Sequence, residues 1–284
     1  ARQDQILTRT PVRVLLAVAT LVAIGLALDA FWLEPASLRL SRYDVPDNPP
    51  PLKGLRIAVI SDLHAGSPFT DEEKIDRVVS LTNAARPDLI LLTGDYGVSV
   101  APMLGGRHMP IPIIAAHLKP LRAPLGVYAV IGNHDRWEDA DGISNSLRSV
   151  GIVVLENQHV TLPAPHGPLF LAGIGDFYTG ASRPDRALAG IAVNIPVLCF
   201  THTQDVFPHL PRSCALTIAG HTHGGQVRLP LVGRLKVPSG YGQRYAAGFV
   251  REGGKSLFIS TGIGVSILPV RFGVPPEVSF LSLK

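Results

Sequence analysis

"LRIAVISDLHAG", residues 55–66, has the pattern of a short buried strand and ends in polar side chains. Residues 70–87 follow with apolar residues at helical spacing, a capping box at Thr70 and Glu73, and a proline that ends the helix. "DLILLTGD", residues 88–95, then has the pattern of a second strand. A strand, a helix and a strand in succession predict a parallel pair joined by a right-handed crossover.

The rest of the chain predicts more short elements of both kinds. "GVYAVIGNHD", residues 126–135, indicates a third strand. Helices are expected near 112–119 and 138–150, and strands near 152–162, 168–174, 196–201, 215–219, 226–250, 256–261 and 277–283. The 28 glycines and 25 prolines show no period, which is typical of turns between many short elements. The sequence therefore predicts an α/β domain of packed sheets flanked by helices.

Five apolar runs end in polar clusters, and functional groups gather beyond strand ends in open α/β folds. The clusters are Asp62 with His64, Asp95, Asn133 to Asp135, Thr201 with His202, and His221 with His223. Glycines at 94, 132 and 220 precede three of these positions, where a missing Cβ permits a tight turn and close approach to a ligand. The other histidines, outside these clusters, are expected to be ordinary surface or packing residues.

The stretch "AGHTHGG", residues 219–225, contains a His-x-His pair after an apolar run. In an extended segment residues i and i+2 point to the same side, so His221 and His223 are expected to face one point in space, as metal ligands do. Such a pair alone is also typical of half-buried polar residues at a strand end. The metal hypothesis therefore depends on the other clusters.

Taken in order, Asp-x-His, Gly-Asp, Gly-Asn-His-Asp, a lone His and Gly-His-x-His resemble the calcineurin-like metallophosphoesterases, over residues 53–284. "GHTHGGQVRLP" and "STGIGVSILPVRFGVPPEV" resemble further the membrane-anchored bacterial branch, which includes relatives of UDP-2,3-diacylglucosamine pyrophosphatases of lipid A synthesis. The resemblance implies a four-layer αββα sandwich.

The resemblance also implies two divalent metal ions with one shared ligand. One ion is held by Asp62, His64, Asp95 and His223, and the other by Asp95, Asn133, His202 and His221. A carboxylate bridging two cations about 3.5 to 4 Å apart suits clamping of phosphoryl oxygens and activation of water. Mixed oxygen and imidazole ligands without thiolate suit Mn, Fe or Zn.

The remaining two residues of the Gly-Asn-His-Asp block have catalytic roles by the same resemblance. His134 contacts phosphate and protonates the leaving oxygen, and Asp135 orients it; a purely structural His134 is the alternative. The predicted enzyme hydrolyses a phosphodiester or pyrophosphate bond, with a lipid-linked substrate such as UDP-2,3-diacylglucosamine. The alternative function is a noncatalytic metal-binding scaffold on the same fold.

The amino-terminal region predicts a membrane anchor. "VLLAVATLVAIGLAL", residues 14–28, carries no charge, and the aromatic pair at 31–32 suits a membrane interface. A cleaved secretory signal is one alternative, but no small-x-small cleavage site follows the run, and a peripheral amphipathic attachment is the other. The predicted domains are an anchor over 1–33, a proline-rich linker over 34–53 and a metallophosphoesterase domain over 54–284.

The flanking charges predict how the anchor is oriented. Basic residues precede the apolar run and acidic residues follow it, so the positive-inside rule predicts a single pass of a bacterial inner membrane with an extracytoplasmic catalytic domain. The charges in favour are Arg2, Arg9, Arg13, Asp29 and Glu34, and those against are Arg39 and Arg42. A cytoplasmic domain is the alternative, and a nucleotide-linked lipid of lipid A synthesis requires it.

Composition places few limits on the partners. The chain of 284 residues has a formal net charge of +4, and residues 224–284 hold eight Lys or Arg against two Glu. This local excess suits an anionic substrate or membrane surface as well as a solvated basic face. No nucleic acid partner is expected, and no oligomeric state is predicted. The two cysteines, Cys199 and Cys214, are expected to be buried thiols rather than a disulfide framework.

Overall fold

The computed structural model describes residues 2–284, and the side chains from residue 12 onward. Arg2 and Arg9, used above for orientation, lie outside the described side chains. The strands are β1 Arg39–Val45, β2 Arg56–Ile60, β3 Leu89–Leu92, β4 Val127–Ala129, β5 Val153–Val154, β6 Gln158–Ala164, β7 Gly167–Ile174, β8 Val197–Thr201, β9 Cys214–Ala219, β10 Arg228–Leu229, β11 Gly233–Arg234, β12 Gly248–Glu252, β13 Lys255–Ile259 and β14 Glu277–Leu283. The α-helices are α1 Arg2–Leu28, α2 Glu34–Ala36, α3 Glu72–Ala84, α4 Ile111–Leu118, α5 Asn133–Glu138, α6 Ala140–Ser149 and α7 Pro184–Ala187.

Two six-stranded sheets pack face to face. The first has the order β1-β14-β2-β3-β4-β5 and the second the order β12-β13-β9-β8-β7-β6. Buried side chains from both sheets, such as Leu91 and Phe200, share one apolar core between them. Ile75, Ile114 and Ile143 bring α3, α4 and α6 onto the outer face of the first sheet, while α7 covers the second. The four-layer αββα prediction is confirmed.

The β2-α3-β3 unit forms as predicted, with β2 and β3 parallel. Its helix starts later than the predicted capping box, because Asp71 and not Thr70 is the N-cap. The Asp71 carboxylate accepts a hydrogen bond from the Lys74 backbone N–H at 2.9 Å. The third predicted strand is short, because β4 ends at Ala129 and helix α5 has already begun at Asn133.

Part of the predicted linker belongs to the folded domain. Residues Arg39–Val45 form β1, which pairs in parallel with β14 along its whole length, from Arg39 opposite Glu277 to Val45 opposite Leu283. The strand lies at the edge of the first sheet and is only partly buried. An edge strand with one solvated face lacks the continuous apolar run that marks the central strands, so its pattern is weak in the sequence.

The two cysteines form a disulfide, which corrects the prediction of buried thiols. Cys199 lies on β8 and Cys214 begins β9, and their Cα atoms are 5.6 Å apart, a separation that a disulfide spans without backbone movement. The sequence could not indicate this pairing, because only the parallel alignment of β8 with β9 brings together residues 15 positions apart.

Among the residues whose side chains the structure describes, the amino-terminal helix contacts the domain through its carboxyl end. The helical segment Val12–Ala36 contains an 18-residue stretch with a mean hydropathy of 2.4 and no buried residue, so by length and composition the segment can cross a membrane. At its end the Ala30 carbonyl accepts from the Arg271 backbone N–H at 2.9 Å. The buried Lys74 ammonium donates to the carbonyls of Pro35 and Ala36, both at 3.2 Å, and so caps the end of the helical segment.

Candidate metal centre

Seven polar side chains named from the sequence meet at one end of the two sheets. They follow the carboxyl ends of β2, β3, β8 and β9, or begin helix α5. The seven are Asp62, His64, Asp95, Asn133, His202, His221 and His223, and all are buried. The strand-end clusters predicted from the sequence therefore converge on a single point in the fold.

The first group contains Asp62, His64 and His223, each with one potential ligand atom, all within 4.8 Å of one another. The Nε2 atoms of His64 and His223 face each other at 3.0 Å, and His223 Nε2 lies 3.5 Å from a carboxylate oxygen of Asp62. His64 Nδ1 lies 3.1 Å from the carbonyl oxygen of Gly97. A proton on that Nδ1 leaves the Nε2 lone pair free for a cation, which is the usual arrangement around ligating histidines.

The second group contains Asp95, His202 and His221, again with ligand atoms within 4.8 Å of one another. His202 Nε2 lies 2.9 Å from the side-chain oxygen of Asn133 and 3.2 Å from His221 Nδ1. His202 Nδ1 lies 2.8 Å from the carbonyl oxygen of Thr93, which fixes the ring as Gly97 fixes His64. In the described part of the chain the buried His221 Nε2 has no hydrogen-bond partner.

Asp95 lies between the two groups. One of its carboxylate oxygens is 3.5 Å from His64 Nε2 in the first group and 3.3 Å from His202 Nε2 in the second. Its other oxygen accepts a hydrogen bond from the His134 backbone N–H at 3.0 Å. Opposed ring nitrogens and a shared carboxylate are a donor set that fits two divalent cations.

His221 and His223 do not face one point, which corrects the prediction made from their spacing. His221 belongs to the group around His202, and His223 belongs to the group around His64. The extended backbone of β9 ends at Ala219, and the two histidines have φ of 70° and 50°. Alternation of side chains holds only within a strand, so here the i, i+2 pair divides between two sites.

The backbone around the centre is strained. Five of the seven side chains are on residues with positive φ, a conformation uncommon outside glycine. The five are Asp62, His64, Asp95, His221 and His223. A Cβ on Gly132 would lie 2.1 Å from an oxygen of Asp95, and a Cβ on Gly220 would lie 1.9 Å from Ser61 Oγ. These glycines therefore permit close approach of protein groups to one another at the site.

The electrostatics of the centre favour neutral imidazoles and bound positive charge. Burial lowers the pKa of His64 to about 3 and that of His221 to about 4, so both rings are neutral and carry a free lone pair at pH 7. His202 differs: although burial acts to lower its pKa, the neighbouring Asp95 carboxylate raises it to about 10. The negative charge that holds a proton on His202 would equally attract a metal cation to the same position.

His134 and Asp135 lie beside the centre with different surroundings. The half-buried His134 ring is 5.2 Å from the His64 ring, centroid to centroid, and it makes no hydrogen bond to any residue that the structure describes. Burial lowers its pKa, and the Asp95 carboxylate opposes that shift. Asp135 is fully buried and accepts from the backbone N–H groups of Gly132, Asp95 and Tyr96 at 2.7 to 2.8 Å. These contacts hold the backbone around Asp95 and do not orient His134 as expected.

Three residues near the centre were missed in the sequence. Asp176 is buried just beyond β7, where it accepts from the Thr203 hydroxyl and from the backbone and hydroxyl of Thr179. Its signal was the same as that of Asp95, an apolar run followed by Gly-Asp.

Two aromatic rings also lie beside the centre. The Trp137 ring is 5.0 Å from the His134 ring, and the Tyr178 ring is 5.5 Å from the His221 ring, centroid to centroid. These two exposed aromatic rings had no signal in the sequence, because Trp137 lies on the short helix α5 and Tyr178 lies in the turn after β7, and neither belongs to a polar cluster at a strand end.

Comparison with solved structures gives remote likenesses only. One is the calcineurin-like phosphoesterase YfkN from Bacillus subtilis, which is 14% identical to this chain. The match covers 74% of this chain and 81% of that one, with a TM-score of 0.44.

Relatives by sequence are more similar and cover most of the chain. The protein named phosphodiesterase YaeI of Escherichia coli is 34% identical over 258 residues, 89% of this chain and 88% of its own length. Metallophosphoesterase YkuE of Bacillus subtilis is 30% identical over 274 residues, 95% of this chain and 93% of its own length. A transmembrane protein with metallophosphoesterase domain from Danio rerio is 28% identical over 97% of this chain and 63% of its own length.

The family model for calcineurin-like phosphoesterases matches residues 55–225, which is more than half of the chain. This match spans all seven side chains of the candidate centre. Together with the bacterial relatives, it shows that the chain belongs to the calcineurin-like phosphoesterase family and is a phosphoester hydrolase.

Proposed function

We propose that this phosphoesterase hydrolyses a phosphodiester or pyrophosphate bond of a lipid-linked substrate, using two divalent cations that share Asp95. The observation that carries the proposal is the position of the Asp95 carboxylate, within 3.5 Å of a histidine nitrogen in each group. One cation is assigned to Asp62, His64, Asp95 and His223. The other is assigned to Asp95, Asn133, His202 and His221. The donor set suits Mn, Fe or Zn.

The bound cations would supply Lewis-acid stabilisation of the phosphoryl oxygens and a lowered pKa for an attacking water. The protein holds the geometry in which this chemistry takes place. The Asp135 carboxylate fixes the amides of Gly132, Asp95 and Tyr96, and so fixes the position of the bridging carboxylate. His134, beside the first group with its ring free of other hydrogen bonds in the described chain, is assigned as the donor of a proton to the leaving oxygen.

The lipid-linked substrate is proposed from the apolar helix and the relatives. The helix is attached to the domain through Ala30, which accepts a hydrogen bond from Arg271. Arg271 in turn points one guanidinium nitrogen towards His223 Nδ1 at 3.4 Å. An anchor attached so near to the centre would hold the centre close to a bilayer. One relative is named a phosphodiesterase and another a transmembrane protein.

A substrate screen on the purified full-length protein tests the reaction and the substrate class. The compounds are UDP-2,3-diacylglucosamine, glycerophosphodiesters with and without acyl chains, bis-p-nitrophenyl phosphate and p-nitrophenyl phosphate, each with added Mn. We expect turnover of the diesters or the pyrophosphate, and faster turnover of acylated than of non-acylated compounds. Strong activity on the soluble monoester alone would contradict the proposal.

The catalytic domain is proposed to lie on the extracytoplasmic side of a bacterial inner membrane. Two observations support this orientation. Basic residues precede the apolar helix. The Cys199–Cys214 disulfide is a bond that persists in oxidising compartments and is rare in the cytosol. A cytoplasmic nucleotide-linked lipid is incompatible with this orientation, so a lipid exposed on the outer side of the membrane is favoured over UDP-2,3-diacylglucosamine.

Protease accessibility tests the orientation. Protease added to spheroplasts is expected to degrade the domain, and thiol-specific labelling under denaturing, non-reducing conditions is expected to find no free cysteine. A cytoplasmic protein serves as the control for spheroplast integrity. A domain that survives in spheroplasts but is degraded after lysis would reverse the orientation and restore UDP-2,3-diacylglucosamine as the leading substrate.

A further inference from the structure

Five large apolar side chains are exposed on two loops beside the metal centre, and we call them the apolar rim. Leu231 is fully exposed at the turn between β10 and β11, and each of the others exposes more than half of its surface. The members of the rim are Leu231, Val232, Leu235, Ile267 and Leu268. Scattered exposed apolar residues are normal, but a group on adjacent loops marks an interaction surface.

The two loops of the apolar rim are joined by hydrogen bonds. Gln226, just before the β10–β11 hairpin, donates through its side chain to the carbonyls of Ser266 and Leu268 at 3.1 and 3.3 Å. The backbone carbonyl of Gln226 accepts from the Phe272 backbone N–H at 2.9 Å, and the Arg228 backbone N–H donates to the Phe272 carbonyl at 2.8 Å. The hairpin and the loop therefore form one surface.

This surface adjoins the point where the apolar helix meets the domain. Arg271 follows the loop that carries Ile267 and Leu268, and its backbone N–H donates to the carbonyl of Ala30 at the helix end. The Glu34 carboxylate accepts from the Gly273 backbone N–H at 2.8 Å. Phe31 and Trp32 at the same helix end are also exposed. The apolar surface of the helix and the apolar rim are therefore neighbours.

Charge on the hairpin fits the same location. Two basic residues flank the hairpin turn and are exposed: Arg228 lies on β10 before the turn, and Lys236 follows β11 after it. Residues 224–284 as a whole carry eight basic and two acidic residues. An apolar tip flanked by basic side chains suits the interface of a bilayer that contains anionic lipid.

We propose that the apolar rim is a second membrane contact, in which Leu231, Val232 and Leu268 enter the interface of the bilayer crossed by α1. His223 precedes Gln226 by three residues, so the metal centre opens close to this surface. The centre then faces phosphoester groups at the headgroup level rather than in bulk solution. The inference rests on the proposed anchor, and its primary test does not depend on activity.

The test uses the full-length protein in vesicles of phosphatidylcholine and phosphatidylglycerol, with a fluorescent label on an introduced cysteine. The native cysteines are fully buried and paired, so only the introduced thiol reacts. Leu231→Cys and Leu268→Cys report on the rim. Val193→Cys is the matched control, because Val193 is 90% exposed on the loop before β8, at the opposite end of that strand from His202.

Labels at 231 and 268 are expected to be quenched by doxyl-labelled lipid and shielded from aqueous iodide, with the reverse at 193. Failure of the protein to float with vesicles would overturn the anchor and the rim together. Flotation with the label at 231 as accessible to iodide as that at 193 would overturn the rim alone. Shielding that depends on protein concentration and not on lipid would assign the surface to a second copy of the chain.

A functional measurement separates membrane contact from catalysis. Leu231→Asp combined with Val232→Asp is expected to lower turnover of a vesicle-embedded phosphodiester about tenfold, which corresponds to about 1.4 kcal/mol, because two aliphatic side chains no longer enter the bilayer interface. Turnover of soluble bis-p-nitrophenyl phosphate is expected to stay at the wild-type level. Val193→Asp is the control and should change neither rate. An equal loss on both substrates would show that the hairpin acts on the centre itself and would contradict the inference.

Discussion

Asp95→Asn is expected to release bound cations and to slow phosphodiester hydrolysis by about 10³-fold or more. The Asp95 carboxylate lies between two groups of ligands, and its negative charge offsets the mutual repulsion of two cations. Loss of Lewis-acid stabilisation worth several kcal/mol, at 1.36 kcal/mol for each tenfold in rate, accounts for that magnitude. Elemental analysis of the purified variant and its rate on bis-p-nitrophenyl phosphate are the measurements.

Asp88→Asn is the matched control, because Asp88 immediately precedes β3 whereas Asp95 follows it. Asp88 makes an exposed ion pair with Arg56 at 2.7 Å, and such pairs contribute little to stability. The control should keep its metal content and its activity. Full metal content in a folded Asp95→Asn protein would refute the bridging assignment.

His134→Ala is expected to keep its metals but to hydrolyse diesters with poor leaving groups about 10² to 10⁴-fold more slowly, the usual contribution of a positioned proton donor. The reason is that His134 lies outside both ligand groups, with its ring 5.2 Å from that of His64. The loss should shrink for nitrophenolate leaving groups, which need little protonation, and stay large for sugar or glycerol alcohols.

The matched control for this variant is His166→Ala, an exposed histidine in the turn between β6 and β7. It should behave as the wild type on every substrate. Two results would remove His134 from the role of acid: loss of metal from His134→Ala, or an equal slowing for good and poor leaving groups.

The sequence predicted the central strands and the residues of the centre because both have strong local patterns. The strands β2, β3, β8 and β9 are predominantly apolar, and each is followed within a few residues by Asp or His. Since the carboxyl ends of parallel strands meet at one edge of a sheet, such residues converge without any knowledge of loop geometry.

The features that local sequence patterns could not predict depend on contacts between distant residues or on local strain. His221 and His223 separate into two groups because each has a positive φ, which no pattern of apolar residues reveals. Strand β1 exists because β14, more than 230 residues later, provides its pairing partner. Asp135 was expected to orient His134, yet its oxygens are taken by backbone amides that only the folded turn brings together.

Metal stoichiometry of the active protein tests the central claim most directly. Full-length protein in detergent or vesicles is stripped with a chelator, and Mn is then titrated while bound metal and diester turnover are measured together. We expect two cations per chain, loss of activity on stripping, and recovery that is complete only when both sites are filled. Full activity in metal-free protein, or saturation of activity and binding at a single cation, would contradict the dinuclear centre.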